Sequence, residues 1–277
     1  MRRLACLLLL LSALPAQAFT ETDLRLDRGI AATLTLPEGD GPFPAVLMLH
    51  GLGSSRAEVG NLFVDQAEAL AEAGIAALRI DFRGFGQSPG DTGAFTLERQ
   101  NQDAALALTA LRSTPGVDPA RLGVIGFSFG GAAAIELAAT RPEGLRALVA
   151  LTPVGDYRAD MLDSMGQKVF DRAAEDGIAG IDFGWRTLAL RHGFFDGLAR
   201  HDLLAALARW PGPFLIVHGE SDPYRRYTEA MLRAAAGTDK RALVIPGANH
   251  VFDIYTPSRS HAPEVIAAVV DWLKARL

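Results

Sequence analysis

The chain has 277 residues, 49% of them hydrophobic, enough for one large α/β domain with a sizeable core. Its 27 basic residues face 32 acidic ones, a net charge of −5, and no basic run or basic–aromatic patch breaks that balance, which argues against nucleic-acid binding. Cys6 is the sole cysteine, so after the first eighteen residues the chain has no means of disulfide formation, thiolate catalysis or cysteine ligation of a metal.

The first stretch, "MRRLACLLLLLSALPAQA", combines two arginines, a leucine-rich run and a small-residue ending. It reads as a secretory signal peptide over residues 1–18, cleaved before Phe19, and predicts an exported protein, periplasmic or secreted. The apolar run of residues 4–14 is too short for a membrane anchor, and Cys6 lies within it rather than at a lipoprotein cleavage point. Losing Arg2 and Arg3 with the leader leaves 25 basic against 32 acidic residues, a charge of −7. No repeat or low-complexity stretch follows.

Next comes an expected antiparallel edge hairpin, residues 23–27 and 30–36. Six apolar runs of strand length then alternate with helical patterns: "AVLMLH" (45–50), "IAALRID" (75–81), "LGVIGF" (122–127), "LRALVAL" (145–151), "PFLIVHG" (213–219) and "ALVIPG" (242–247). Uninterrupted apolar runs bounded by turns are typical of parallel strands buried on both faces. Helices are expected over 56–73, 96–112, 129–140, 224–236 and 263–277. This alternation predicts an α/β fold, a mostly parallel, doubly wound sheet with right-handed crossovers, spanning residues 19–277.

One junction stands out. In "RLGVIGFSFGGAAAIELAAT" a strand pattern stops at Gly126 and a helical one starts after Gly131, with Ser128 between glycines two positions away on either side. A strand that turns straight into a helix needs such small neighbours, and the strained turn holds the serine hydroxyl clear of the backbone. The same glycine-rich turn would also suit a serine that merely caps the helix.

The connection over residues 152–211 breaks the rhythm, since some sixty residues join two strands where a dozen suffice. It holds Tyr157, Met161, Met165, Phe170, Phe183, Trp185, Phe194 and Phe195 among glycines. It reads either as a helical insertion whose aromatics pack on one another or as a cap with some aromatics facing substrate. Tyr157, Trp185 and Phe194 are the candidates for substrate contact.

Ligands of open parallel sheets bind beyond the carboxyl ends of the strands. The residues there are His50, Gly51, Leu52 and Gly53, then Asp81 and Arg83, then Ser128, then Glu220 and Asp222, and finally His250. A nucleophile, an acid and a histidine thus occur in the order Ser, Asp, His at one edge.

Together "HGLGSS", "DFRGFGQSPG", "GFSFGG", "HGESDPY" and "GANH" resemble the α/β-hydrolase fold, and they span nearly all of residues 19–277. Within it the chain resembles serine esterases akin to the cinnamoyl (feruloyl) esterases, with relatives among serine aminopeptidases and other acyl hydrolases. The resemblance implies that His250 takes the proton of Ser128 and that Asp222 orients the imidazole, with the backbone N–H groups of Leu52 and Phe129 as oxyanion donors. His261 is the rival histidine; Glu220 and Asp253 are the rival acids. Asp81, Arg83 and Ser88 read as turn-fixing residues. The expected function is cofactor-free and metal-free hydrolysis of short to medium acyl or aryl-acyl esters, with a small-molecule ester as partner and no stable membrane insertion. Alternatives on the same apparatus are an aminopeptidase, whose amine anchor would be Glu175, Asp176 or Asp182, a thioesterase and a lipase. A non-catalytic binding module would need a broken triad. Oligomeric state is not legible.

Overall fold

A computed structural model of the chain describes residues 19–141, 143–184, 186–256, 258 and 260–277; the expected leader, residues 1–18, lies outside them. Strands β1 (Phe19–Arg25) and β2 (Ala31–Pro37) form the antiparallel hairpin, and β2 runs antiparallel to β4 (Ala76–Ile80). The parallel part comprises β4, β3 (Phe43–Leu49), β5 (Val117–Phe127), β6 (Leu145–Leu151), β9 (Phe214–Gly219) and β10 (Lys240–Ile245). The eight-stranded order is β1-β2-β4-β3-β5-β6-β9-β10. The chain steps outward from β3 to β4 and then returns to the other side of β3 as β5. That reversal opens a crevice at the carboxyl ends of β3 and β5, where ligands of such sheets bind.

The central strands β3, β4, β6 and β9 and the second half of β5 are largely buried on both faces, and their side chains feed two apolar layers. Leu47, Leu49, Leu78, Val124 and Leu148 pack with helices α2 (Leu97–Arg112) and α3 (Phe129–Thr140). Val46, Met48, Ile125 and Val149 pack with α1 (Leu62–Glu72) and α9 (Ala262–Lys274). Alternate residues of one strand thus serve opposite layers, as the pleat requires.

Several boundaries differ from the sequence expectation: β1 starts at Phe19 and not 23, β5 at Val117 and not 122, and the last helix ends at Lys274 and not 277. The helix expected from residue 56 begins at Leu62, because Glu58, Gly60 and Asn61 take positive φ of 59°, 53° and 66° and break the helical path. The helix expected over 224–236 splits into a 3-10 turn, Pro223–Tyr227, followed by α8 (Thr228–Ala234). The insertion between β6 and β9 is not wholly helical. Helices α4 (Tyr157–Met165), α5 (Gln167–Asp176), α6 (His192–Gly197) and α7 (Leu203–Leu207) frame a hairpin of β7 (Ile178–Asp182) and β8 (Thr187–Arg191). Its alternation sends Ala179, Ile181, Leu188 and Leu190 inward and their neighbours outward, the period-two pattern of a half-buried strand.

Candidate active site

Ser128 sits between β5 and α3 with φ 53° and ψ −118°, a backbone conformation sterically unfavourable for a residue with a Cβ. Its N–H bonds to Leu151 O at 2.8 Å, tying the turn to β6. A Cβ on Gly126 would lie 2.0 Å from Gly130 O, and one on Gly130 would lie 2.0 Å from Leu49 O. Nothing larger than glycine fits at either place, so the spacing in the sequence reflects contact between helix and strand.

The loops after β9 and β10 bring the other two groups alongside. Ser221 N–H donates to Ala248 O, and a Cβ on Gly219 would meet Asn249 O at 2.3 Å, so the loops touch. His250 Nε2 lies 3.2 Å from Ser128 Oγ, and His250 Nδ1 lies 2.9 Å from Asp222 Oδ1. The rival acid Asp253 bonds instead to the backbone and side-chain nitrogens of Asn249, and the rival Glu220 accepts from Gly247 N–H. His261 stands at the start of α9, 3.6 Å from Glu264.

Asp222 has a second imidazole partner. His218, 1% exposed at the end of β9, places Nδ1 2.5 Å from Asp222 Oδ2. Burial alone would raise the Asp222 pKa, but hydrogen bonds from His218 and His250 outweigh it and hold the carboxyl well below the ordinary range. His218 falls within the strand run "PFLIVHG", and its i,i+4 spacing from Asp222 in "HGESD" is the sequence signal for the pair.

The loop after β3 packs against the elbow: a Cβ on Gly51 would lie 3.4 Å from Ser128 Cβ. His50 orients the Gly51–Leu52 peptide, and Glu58 holds the His50–Gly51 peptide before it. Phe82 N–H donates to His50 Nε2 at 3.0 Å, which leaves the proton on Nδ1, and Nδ1–H donates to Gly51 O at 2.7 Å. Burial pushes the His50 pKa down to about 4, so the ring is neutral near pH 7. Gly51 N–H donates to Glu58 Oε2 at 2.6 Å. With its carbonyl held by His50, the planar trans peptide turns the Leu52 N–H to the opposite side. Phe129 opens α3, where N–H groups have no intrahelical acceptor. Asp81, fully buried, accepts from Arg56 N, Arg56 Nη1 and Gln87 N; Arg83 pairs with Asp103, and Ser88 Oγ donates to Asp81 O. These three side chains brace the turn.

Ser128, His250, Leu52 and Phe129 line one cavity of about 350 Å³, walled by Met161, Ser164 and Phe183 of the insertion and by Tyr224 and Tyr255. Tyr224 meets the His250 ring edge-on at 5.1 Å. Two substrate-contact candidates need correction: Tyr157 and Phe194 do not line the cavity. Both are fully buried, stacked around Phe129 with centroids at 5.2 and 6.2 Å, where they fill the core between α3 and the insertion. Trp185 lies outside the described residues. Glu175, Asp176 and Asp182 are exposed and do not line the cavity. Among the described residues no group of three or more His, Cys, Asp or Glu is placed to hold a metal, and no helix is long and apolar enough to cross a membrane.

The family model described as "Esterase FrsA-like" matches residues 17–277, which takes in the elbow, both loops and the insertion. The chain belongs to the FrsA-like esterase family. It is 28% identical to Esterase FrsA of Klebsiella pneumoniae (strain 342) over 262 residues, 89% of this chain and 56% of that protein. Esterase FrsA of Escherichia coli O1:K1 is 27% identical over 263 residues, again 56% of its length. This FrsA-like chain therefore spans just over half the length of those relatives. Among solved structures, Est1E from Butyrivibrio proteoclasticus with ferulic acid bound superimposes with a TM-score of 0.75 at 22% identity, covering 91% of this chain and 97% of Est1E. Dienelactone hydrolase from Anabaena variabilis ATCC 29413 gives 0.64 at 23%, covering 94% and 99%. Those likenesses show that this FrsA-like chain has the α/β-hydrolase fold.

Proposed function

We propose that the chain is an exported serine hydrolase that cleaves carboxylic esters of short to medium acyl or aryl-acyl groups without a cofactor. The observation that carries this is the Ser128–His250–Asp222 relay, 3.2 and 2.9 Å long, on the wall of a largely apolar cavity. Ser128 Oγ attacks the ester carbonyl while His250 Nε2 takes its proton, and Asp222 stabilises the imidazolium through Nδ1–H. The tetrahedral oxyanion accepts the N–H groups of Leu52 and Phe129. Collapse breaks the bond to the alkoxide, which leaves with the proton from His250. Water, deprotonated by His250, then releases the acid from the acyl-enzyme.

Membership of an esterase family supports the ester reading, and a cavity of about 350 Å³ suits a small or medium acyl group. The insertion serves as a cap, since Met161, Ser164 and Phe183 complete the walls. Export rests on the leader-like residues 1–18, and the family match starts at residue 17. The aminopeptidase alternative loses support because its three proposed amine anchors do not line the cavity.

The test is a panel of p-nitrophenyl esters of increasing chain length, with methyl hydroxycinnamates and aminoacyl anilides alongside. Turnover should peak among short to medium chains, and Ser128→Ala should lower it about 10⁴-fold with circular dichroism unchanged. Fluorophosphonate labelling that survives in Ser128→Ala, or anilides cleaved faster than any ester, would overturn the proposal.

A further inference from the structure

Glu58 is a carboxyl group on the wall of the cavity that contains Ser128, and it is only 7% exposed. Oε2 accepts Gly51 N–H at 2.6 Å and Oε1 accepts Val59 N–H at 2.9 Å, so its head group is fixed rather than free to swing. Its backbone, at φ 59° and ψ −177°, occupies a region that residues with a Cβ rarely adopt, as expected where the surrounding structure dictates the placement. Among the described residues lining the cavity there is no lysine or arginine; the other titratable groups facing it are His250, Tyr224 and Tyr255.

On the ester-hydrolase reading above, we infer that Glu58 makes the pocket charge-selective: it admits esters whose acyl group is uncharged and turns away those whose acyl group carries a carboxylate. A second carboxylate in this cavity would face the first across a weakly screening interior, with no cation on the wall to pair it. The selectivity is itself pH-dependent. Burial pushes the Glu58 pKa up to about 7, against the hydrogen bonds from Gly51, Ser54 and Val59 and the nearby His250, so the charge appears across the neutral range.

The test compares p-nitrophenyl butyrate with p-nitrophenyl hemisuccinate, read as the ratio of their kcat/KM values. Both use the same triad, so changes in His250 protonation and any general loss of activity cancel in the ratio. In the native enzyme the preference for butyrate should be about tenfold greater at pH 8 than at pH 6, the factor by which the protonated fraction of a group titrating near 7 changes. In Glu58→Gln the preference at pH 8 should fall about tenfold and lose its pH dependence, since the side chain carries no charge. A ratio constant within about twofold over that pH range in the native enzyme, or one unaltered by Glu58→Gln, overturns the inference. Ser128-dependent butyrate hydrolysis with an unmoved ratio sinks only this inference. Absence of Ser128-dependent turnover of either ester sinks the hydrolase reading as well, and the inference with it.

Discussion

Asp222 divides its carboxylate between two imidazoles, with Oδ1 toward His250 and Oδ2 toward His218. A carboxylate held at one oxygen can rotate about its Cβ–Cγ bond; held at both, it presents a fixed lone pair to His250 Nδ1–H. His218 Nε2 is buried and has no hydrogen-bond partner among the described residues, so the ring's polar contact is the one its Nδ1 makes with Asp222 Oδ2. His218→Ala should therefore lower kcat on a neutral ester by about tenfold or more, the typical cost of misplacing a catalytic group, with KM unchanged. His218→Asn, whose amide N–H lies near the position of Nδ1 but whose volume is smaller, should recover most of the loss. Equal damage from both variants would mean that the ring merely fills space.

The insertion is fastened to the loop carrying Asp222 through one buried carboxylate. Asp160 on α4 accepts the N–H groups of Gly155 and Asp156, the Tyr227 hydroxyl at 3.0 Å and Arg226 at 2.7 Å. Arg226 is half exposed, so most of the stabilisation belongs to the backbone and tyrosine bonds. A second attachment runs from Arg186, beside the β7–β8 hairpin, to Gly53 O in the loop after β3. Asp160→Ala leaves several part-buried donors without their acceptor and should cost on the order of 2 kcal/mol in urea unfolding. Proteolysis should then begin in the insertion, because α4 loses its anchor while the sheet does not. Unchanged stability with uniform cleavage along the chain would count against this attachment.

Across the whole molecule, His201 links the insertion to α3, with Nδ1 2.6 Å from Glu136 Oε1 and Nε2 3.8 Å from Glu98. The hydrogen bond to Glu136 raises its pKa above the ordinary imidazole value, with burial opposing and the charges of Glu136 and Glu98 reinforcing. A raised folded-state pKa contributes stability that is complete below about pH 6.5 and is lost as pH rises through the folded value. Between about pH 6 and pH 9 the native protein should lose more unfolding free energy than His201→Gln does, since only the former also gives up the proton on His201 there. Parallel losses in the two proteins would show that the link does not titrate.

Residue order alone determined the parallel sheet and the three positions that meet at its edge. Buried parallel strands are continuous apolar runs, and the elbow around Ser128 needs glycine where a Cβ would strike Gly130 O or Leu49 O, so both leave local marks. Asp222 and His250 were legible because each follows a strand whose carboxyl end must face the same crevice. The tertiary structure alone decided which aromatics reach the cavity. Tyr157 and Phe194 pass into the core around Phe129, whereas Tyr224 and Tyr255, outside the insertion, reach the cavity. An aromatic ring satisfies either surrounding equally well, and its sequence neighbours do not distinguish them. Glu58 and His218 were harder to read from residue order for a related reason. Glu58 reads as one more polar residue at a helix start and His218 as the end of a strand. Their importance comes from burial and from a partner's position, Gly51 N–H for one and Asp222 Oδ2 for the other, which exist only once loops from separate strands are packed together.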